Sequence, residues 1–315
     1  MQSWMIVVAL GGNAILRPGQ KGTAADQRHS LRSTSRQLVR LIQRGHRVVV
    51  THGNGPQVGA ILLQQEAGRS AGVPAMPLDV CGAESQGLLG YLIQQSLYNE
   101  LVRANIEKSV VTLVTQTVVD SEDPAFSRPT KPIGPFYDAA EARRLAAETG
   151  YHYVEDAGRG WRRVVPSPDP KAIVEAQVIR DLVQQGVIVV AAGGGGIPVV
   201  RDPEYRILGV EAVIDKDLAA ARLAEQMHAD LLVILTDVDA VYLGYGTPQQ
   251  RPVAQMTVAE ARRYLEAGEF ASGSMEPKVR ACVRFVEATG KRATISALER
   301  LQGAVAGAAG TSVVP

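Results

Sequence analysis

The sequence predicts an α/β protein, a three-layer αβα sandwich around a mainly parallel central sheet, with an inserted lid. Three apolar, β-branched runs predict this class, because buried strands of a parallel sheet are near-continuous in Val, Ile and Leu. Each run stops at a glycine cluster, and ligands of open α/β sheets bind beyond the carboxyl ends of such strands. The junctions are Met5–Leu10 before Gly11-Gly12-Asn13, residues 48–51 before His52-Gly53-Asn54-Gly55-Pro56, and residues 187–192 before the four glycines 193–196.

Strands and helices alternate through the first 115 residues. Apolar residues recur at helical spacing over about residues 27–44, after Pro56, and over about residues 83–104. Pro56 suits the first turn of a helix, where its missing N–H costs nothing. Strands are predicted at residues 47–51 and 109–115. This βαβ alternation implies parallel strands with helices on both faces of the sheet.

The alternation stops between about residues 120 and 170, where seven prolines fall in an irregular stretch with one predicted helix, about residues 138–149. A long irregular insertion in a compact α/β chain is usually functional, for example a lid. The alternative is a surface excursion without a role. Lys131 lies in this insertion between Pro129 and Pro132, which stiffen the loop around it.

Regular alternation returns after residue 170. A polar stretch at residues 201–205 divides the chain into two lobes, residues 1–205 and 206–315. Residues 310–314 are predicted to form a final edge strand. The other predicted elements are helices at about 171–185, 218–228, 257–267 and 277–289, and strands at 231–236 and 292–295.

Composition excludes several classes of partner. The net charge of +1 gives no basis for binding nucleic acid or a membrane surface, and no apolar run is long enough to span a bilayer. The N-terminus lacks the pattern of a signal peptide. The two cysteines, Cys81 and Cys282, form no CxxC pair, which argues against a disulfide framework or a thiolate metal site. A reduced, cytoplasmic setting is the expectation.

The glycine junctions predict an anion site, since backbone N–H groups without a neighbouring Cβ can approach an anion closely. A helix start after such a loop adds further N–H donors and a partial positive charge. Neither a Walker A sequence nor GxGxxG with a distal acid is present, so P-loop and dinucleotide sites are disfavoured. Asn13 and Asn54 add amide groups that could bind a small planar molecule.

Three lysines could supply charge at this site: Lys131, Lys216 between Asp215 and Asp217, and Lys278 near a helix start. Each could equally be a solvated surface lysine. Together they would neutralise phosphoryl oxygens while an Asp orients them, because phosphoryl transfer requires positioning and charge stabilisation rather than a covalent nucleophile.

Two further features allow alternative interpretations. His52 could be a general base, although a strand-end histidine is more often a structural hydrogen-bonding group. The sequence Thr236-Asp237-Val238-Asp239 could contact a ribose or a metal, or form only a polar turn.

The segments together resemble the amino-acid-kinase superfamily and, more specifically, its carbamate kinase branch. The resemblance spans nearly the whole chain, in the expected order. The superfamily-like segments are residues 8–14, 52–59 and 193–198, and the carbamate-kinase-like segments are 129–135, 155–168, 209–217 (GVEAVIDKD) and 273–278.

The resemblance implies the amino-acid-kinase fold with a protruding lid subdomain at about residues 120–168. It implies reversible phosphoryl transfer between ATP and carbamate, giving carbamoyl phosphate and ADP with Mg²⁺, in a homodimer. The lobe 1–205 would bind carbamate or carbamoyl phosphate and the lobe 206–315 the nucleotide. Another superfamily enzyme acting on a different small acid, such as N-acetylglutamate or a nucleoside monophosphate, and a non-catalytic nucleotide sensor are the alternatives.

The resemblance also implies residue roles, and it assigns no protein ligand to the metal. The family often has Gly where this chain has Asp237. The implied catalytic residues are Lys131, Lys216 and Asp217; the substrate-binding residues are Gly11, Gly12, Asn13, Gly53, Asn54 and Gly55; the nucleotide-binding residues are Lys216, Thr236, Asp237, Val238, Tyr245, Met275 and Lys278.

Overall fold

A computed structural model describes residues 3–17, 19–156, 158–204 and 206–315. The strands are β1 (Met5–Leu10), β2 (Arg47–His52), β3 (Val110–Thr112), β4 (Gln116–Val118), β5 (Lys131–Tyr137), β6 (His152–Glu155), β7 (Trp161–Val165), β8 (Ala172–Ile173), β9 (Ile188–Val190), β10 (Ile197–Arg201), β11 (Ile207–Gly209), β12 (Leu231–Thr236), β13 (Val241–Leu243), β14 (Arg251–Val253), β15 (Gln255–Thr257), β16 (Ala293–Ala297) and β17 (Thr311–Val314). The helices are α1 (Ala24–Gln43), α2 (Gly55–Ser70), α3 (Leu78–Arg103), α4 (Ala139–Thr149), α5 (Ala176–Gln184), α6 (Lys216–Gln226), α7 (Val258–Glu266), α8 (Met275–Thr289) and α9 (Leu301–Ala306).

The main sheet has eight strands in the described residues, in the order β15-β17-β16-β12-β1-β2-β9-β3. Its pairings are parallel except for β16 with β17. β1 lies inside the sheet, with β2 on one side and β12, which comes much later in the chain, on the other. The order in which strands are added therefore reverses at β1, and ligands of open α/β sheets bind at such a point.

Side-chain alternation along β1 explains the three layers. Ile6, Val8 and Leu10 belong to a core packed against α1, α3 and α9. Val7 and Ala9 belong to the opposite core, packed against α5, α6, α7 and α8. Because successive side chains of a strand point to opposite faces, one fully buried strand supplies both cores. The predicted αβα sandwich with a mainly parallel sheet is confirmed.

The insertion contains more regular structure than predicted. Strands β5, β7 and β6 form a three-stranded antiparallel sheet, and α4 packs against β6 and β7. Asp138 caps α4 by accepting hydrogen bonds from the N–H groups of Ala140 and Glu141. We call residues 131–165 the lid. The predicted helix at about residues 138–149 is confirmed as α4, but the prediction of irregular chain around it was wrong. β5 pairs with β7 across more than twenty residues, and no regular alternation of buried and exposed side chains marks these strands.

Other differences concern the C-terminal part. The predicted edge strand at residues 310–314 is wrong in its position: β17 lies between β15 and β16, so β15 is the edge. The loop predicted after Thr236 contains β13, which pairs with β14. Helix α3 begins five residues before its predicted start. Its N-cap is Pro77, whose fixed φ suits the entry to a helix.

The sheet is assembled from two stretches of the chain that meet where β1 pairs with β12. Strands β1, β2, β3 and β9 precede residue 205 and strands β12, β15, β16 and β17 follow it. The lobe boundary itself stays a prediction, and its last residue, Tyr205, lies outside the described residues, as do Met1 and Gln2. No described helix combines the length and apolarity required to cross a membrane.

Candidate active site

The glycine junctions lie side by side at one edge of the main sheet. β12, β1, β2 and β9 are successive neighbours, so their carboxyl ends bring together Thr236, Gly11, Gly53 and Gly193 and the residues that follow each. Helix α2 then begins at Gly55 without a side-chain cap, which leaves its first N–H groups free of intrahelical partners. The arrangement fits the predicted crevice built from separate loops.

Two depressions open along this edge. The large cleft, about 530 Å³, is lined by Gly11, Gly12 and Asn13 together with residues such as Thr236, Asp237 and Lys278. The small pocket, about 290 Å³, is lined by Gly53, Asn54, Gly55, Gly194 and Lys131 of the lid. Both are lined by four common residues, Gly12, Lys216, Gly273 and Lys278. The two lysines therefore occupy the passage between a small compartment and a larger one.

A third depression continues the large cleft. The aromatic pocket, about 130 Å³, shares Thr236, Asp237 and Ser274 with the large cleft. Its other lining residues include Val238, Tyr242, Tyr245, Phe270 and Met275. Flat aromatic and apolar walls next to a polar cleft suit a ligand with a planar ring at one end and anionic groups at the other.

Asp217 links the two lysines of the passage. Lys216 Nζ lies 2.5 Å from Asp217 Oδ1 and Lys278 Nζ lies 3.0 Å from Asp217 Oδ2. The Asp217 side chain is 2% exposed, between the start of α6 and the start of α8. Small residues on α6, including Ala220, Ala221 and Ala224, let that helix pack closely on the sheet and on α8.

The charges of this triad are strongly coupled. Burial alone would raise the pKa of Asp217, but the ammonium groups of Lys216 and Lys278 outweigh it and hold the pKa at about 2. Burial lowers the pKa of Lys216, and the neighbouring charge of Lys278 lowers it further despite the attraction of Asp217. For Lys278 the carboxylate of Asp217 outweighs burial and raises the pKa. The triad carries one net positive charge when all three groups are ionised.

Lys131 extends from the lid towards the same helix start. Its Nζ lies 3.0 Å from Asp215 Oδ2, and its side chain is 31% exposed. Asp215 is the N-cap of α6 and its other oxygen accepts the N–H groups of Asp217 and Leu218. The structure thus brings Lys131, Lys216, Asp217 and Lys278 to one place, as predicted from the motifs.

Two glycines permit close approaches here. A Cβ at Gly53 would lie 3.0 Å from the Cδ of Lys216, so the lysine stem passes over bare backbone. A Cβ at Gly11 would lie 2.6 Å from the carbonyl oxygen of Leu235, at the end of β12. The spacing of the strand ends therefore requires glycine at position 11, whereas a larger residue at position 53 would have to displace the Lys216 side chain.

The third junction, residues 193–196, lines the small pocket and packs against the second junction. Gly194 lines the small pocket, and its φ of +67° favours glycine. A Cβ there would lie 2.2 Å from Asn54 Nδ2, and one at Gly193 would lie 2.5 Å from His52 Nε2. These glycines pack directly against the second junction and hold Asn54, whose Nδ2 also donates to Ser85 Oγ at 2.7 Å.

His52 has the structural role that its strand-end position indicated. It is 1% exposed, and its Nδ1 donates to the carbonyl oxygen of Gly53 at 3.0 Å. Burial lowers its pKa to about 4, with the charge of Lys216 acting in the same direction. The imidazole is therefore neutral at physiological pH and holds the second junction.

The carboxylates near the cleft differ in how many of their oxygens already accept hydrogen bonds from the protein. Both oxygens of Asp217 and of Asp215 already accept hydrogen bonds. Asp237 and Glu299 line the cleft, and among the described residues the Thr236 hydroxyl donates to Asp237 Oδ1. No group of three or more His, Cys, Asp or Glu in the described ranges is arranged to hold a metal ion. The donor set fits Mg²⁺ held mainly by the oxygens of a ligand and by water.

Several cleft residues were not predicted from the sequence. The sequence places Asp215 beside Lys216 and predicts that an Asp orients the lysines, but it gives Asp215 no specific role. Gly273 and Ser274, which line the large cleft, fall within a family-like segment but were assigned no role. Arg17 and Glu299 also line it, and no sequence signal marks them. The residues predicted for the nucleotide all line the large cleft or the aromatic pocket.

Comparisons with known proteins identify the family. The family model described as "Amino acid kinase family" matches residues 4–296. The chain is 55% identical to the carbamate kinase of Pyrococcus furiosus over 98% of this chain and 99% of that protein. It is 52% identical to carbamate kinase 1 of Enterococcus faecium over 94% of each. A solved structure, carbamate kinase from Giardia lamblia bound to AMP-PNP, is 45% identical with a TM-score of 0.93, covering 99% of this chain and 98% of that one.

Identity of this extent over nearly the full length of each protein, with the same fold, confirms the resemblance inferred from the motifs. The chain belongs to the amino acid kinase family and, within it, to the carbamate kinases.

Proposed function

We propose that this chain catalyses reversible phosphoryl transfer between ATP and carbamate, giving carbamoyl phosphate and ADP. The observation that carries the proposal is the position of Lys216 and Lys278 in the passage common to the small pocket and the large cleft. A group transferred between a small acid and a nucleotide must cross such a passage. The lysine-rich lining suits the charge on its oxygens.

The small pocket binds carbamate or the carbamoyl end of carbamoyl phosphate in this proposal. Gly53, Asn54 and Gly55 supply backbone and amide groups, and Lys131 supplies a positive charge from the lid. The free N–H groups at the start of α2 favour an anion in this pocket. Its volume of about 290 Å³ favours a small substrate over a nucleotide.

The nucleotide occupies the large cleft and the aromatic pocket. Gly11, Gly12 and Asn13 were assigned to the small substrate from the sequence, but Gly11 and Asn13 line the large cleft and only Gly12 also lines the small pocket. In this proposal they therefore face the phosphates of the nucleotide, together with Lys216 and Lys278. Thr236, Asp237, Val238, Tyr245 and Met275 surround the adenine and ribose end. The Giardia relative bound to AMP-PNP supports a nucleotide site in a protein of this fold.

Transfer is direct and in line, without a covalent enzyme intermediate. Lys216 and Lys278 neutralise charge on the moving phosphoryl group, and Asp217 keeps both ammonium groups aimed at the passage. Preorganised charges of this kind need not reorient as charge develops. Asp237 and Glu299 line the large cleft and would hold the hydration shell of a Mg²⁺ ion bound with the nucleotide, which would neutralise charge on the phosphate oxygens.

The homodimer expected from the family forms, in this proposal, through α3. Leu88, Tyr91, Tyr98 and Val102 share one face of that helix and are 41–57% exposed. A contiguous apolar surface of this kind is typical of a protein interface. Light scattering on the purified protein at micromolar concentration tests it: a monomeric mass would contradict the assignment.

ATP production from carbamoyl phosphate and ADP tests the proposed reaction. Purified protein with Mg²⁺ should form ATP, which a luciferase assay detects. Acetyl phosphate and N-acetylglutamyl phosphate, supplied as alternative donors, test whether another small acid is the substrate. Binding of ADP in calorimetry without phosphoryl transfer from any donor would instead indicate a nucleotide sensor.

A further inference from the structure

Asp215 makes three contacts that join two parts of the site. Its Oδ1 accepts the N–H of Asp217 at 2.9 Å and that of Leu218 at 3.4 Å, which places the carboxylate at the start of α6. Its Oδ2 accepts Lys131 Nζ at 3.0 Å from the lid. One side chain therefore connects the lid lysine to the helix turn that carries Lys216.

The Asp215 carboxylate is more buried than the Lys131 side chain that it pairs with. The carboxylate is 13% exposed and accepts two backbone N–H groups, whereas the Lys131 side chain is 31% exposed. Within the described ranges, Asp215 is the acid that forms an ion pair with Lys131. A lysine side chain has many rotamers, so an unpaired ammonium at the pocket mouth would spread into solvent.

The lid backbone is attached to the same segment independently. Arg163 of β7 pairs with Glu211 at 3.2 Å, and the N–H of Val213 donates to the carbonyl oxygen of Pro166 at 2.9 Å. These contacts do not involve Asp215. Its removal should therefore affect the Lys131 side chain rather than the placement of the lid.

We propose that Asp215 is a positioning residue that holds the Lys131 ammonium over the small pocket, ready for the substrate anion. The inference rests on the proposed function and adds a residue to it. It predicts that the Asp215 charge matters more for the small substrate than for the nucleotide, because Lys131 lines only the small pocket. The charge of Asp215 also acts on Lys216 and Lys278, but it raises their pKa less than Asp217 does.

The variant Asp215→Asn separates this role from helix capping. Asn caps helices about as well as Asp, so α6 should keep its start while the ion pair loses its charge. Asp138→Asn is the matched control. Like Asp215, Asp138 caps its helix by accepting the N–H groups two and three residues later, but it forms no ion pair in the described residues. Melting temperatures of both variants verify folding.

We expect Asp215→Asn to lower kcat/KM for carbamoyl phosphate about 10-fold. The KM for ADP should stay within about twofold of the parent, and Asp138→Asn should match the parent. Lys131→Ala should lose roughly 10²–10³-fold, typical of removing one preorganised charge. Because Asp215 acts through Lys131, the double variant should be no slower than Lys131→Ala alone.

Three results would overturn the proposal: unchanged kinetics of Asp215→Asn, additive losses in the double variant, or a lower KM for carbamoyl phosphate. Additive losses would mean that Asp215 supports Lys216 instead. A lower KM would mean that Asp215 competes with substrate for Lys131. Parent protein that forms no ATP would refute the proposed function itself, which keeps the two failures distinct.

Discussion

Lys278 Nζ lies 3.0 Å from Asp217 Oδ2, and the lysine comes from α8 while the carboxylate comes from α6. The other oxygen of that carboxylate accepts Lys216 at 2.5 Å. Asp217 thus serves two ammonium groups, one through each carboxylate oxygen. Its contribution is to make two neighbouring positive charges tolerable in a buried site.

Replacing Asp217 by Asn should therefore cost activity more than binding of either substrate. Without the carboxylate, two buried ammonium groups repel each other, and one deprotonates or turns away. We expect kcat to fall roughly 10²-fold. Steady-state kinetics with carbamoyl phosphate and ADP measure it, and the exposed Asp181→Asn is the control. A kcat within threefold of the parent would refute this arrangement.

Asp217 should also make the free energy of unfolding depend on pH in the acid range. The pKa of Asp217 falls from the ordinary 3.8 to about 2 in the fold, so its ionised form stabilises the native state above pH 3.8. That contribution is lost as the pH falls towards 2. Urea denaturation should show the parent and Asp217→Asn converging in free energy of unfolding across this window. A constant difference across it would contradict the prediction.

Lys216 should set the alkaline limb of activity. Burial and Lys278 lower its pKa below the ordinary 10.5, so it loses its charge at a lower pH than an ordinary lysine. Its charged form is the active one, and kcat/KM should decline in the same range. Lys216→Arg should move the decline to higher pH, because arginine stays protonated. Lys278→Arg is the control: the pKa of Lys278 is already raised, so that substitution should leave the position of the limb unchanged.

The packing of the third junction on the second predicts a costly substitution at Gly194. An alanine there meets Asn54 Nδ2 at 2.2 Å with a φ of +67°. We expect a loss of about 2–5 kcal/mol in the free energy of unfolding, from backbone strain and overpacking together. Gly268→Ala is the control for strain alone, since φ is +70° with nothing within 4 Å of the added Cβ. Equal losses in the two variants would exclude the contact as a cause.

Both cysteines should resist alkylation in the native protein. Cys81 and Cys282 are free and buried. Burial raises the pKa of Cys81 to about 11 and raises that of Cys282 as well. Because the thiolate is the nucleophile, iodoacetamide at neutral pH should add to neither, and intact mass should show two adducts only after denaturation. An adduct on native protein would show that one thiol is accessible.

Much of the fold could be predicted because its signals are local. The apolar runs of β1, β2 and β12 mark strands buried on both faces, and the helical spacing of Leu31, Leu38 and Leu41 marks α1. The lid sheet could not be predicted in the same way. Its strands pair Lys131 with Val165 and have mixed burial, so no local pattern identifies them.

The sequence by itself determined the local features of the chain: which runs form buried strands, where glycine loops end those strands, and which lysines lie near helix starts. It also determined the family, through motifs spread over nearly the whole chain. These features depend on residues that are close together in the sequence, so they can be recognised without knowing the tertiary contacts.

The tertiary structure alone decided which of these residues meet. Asp217 and Lys278 are 61 positions apart, and Lys131 and Asp215 are 84 apart. Whether Gly194 packs on Asn54 depends on β9 lying beside β2, which no feature of either loop reveals. The physical reason is that ion pairing and steric fit act over a few ångströms in space, so only the assembled sheet places these groups in contact.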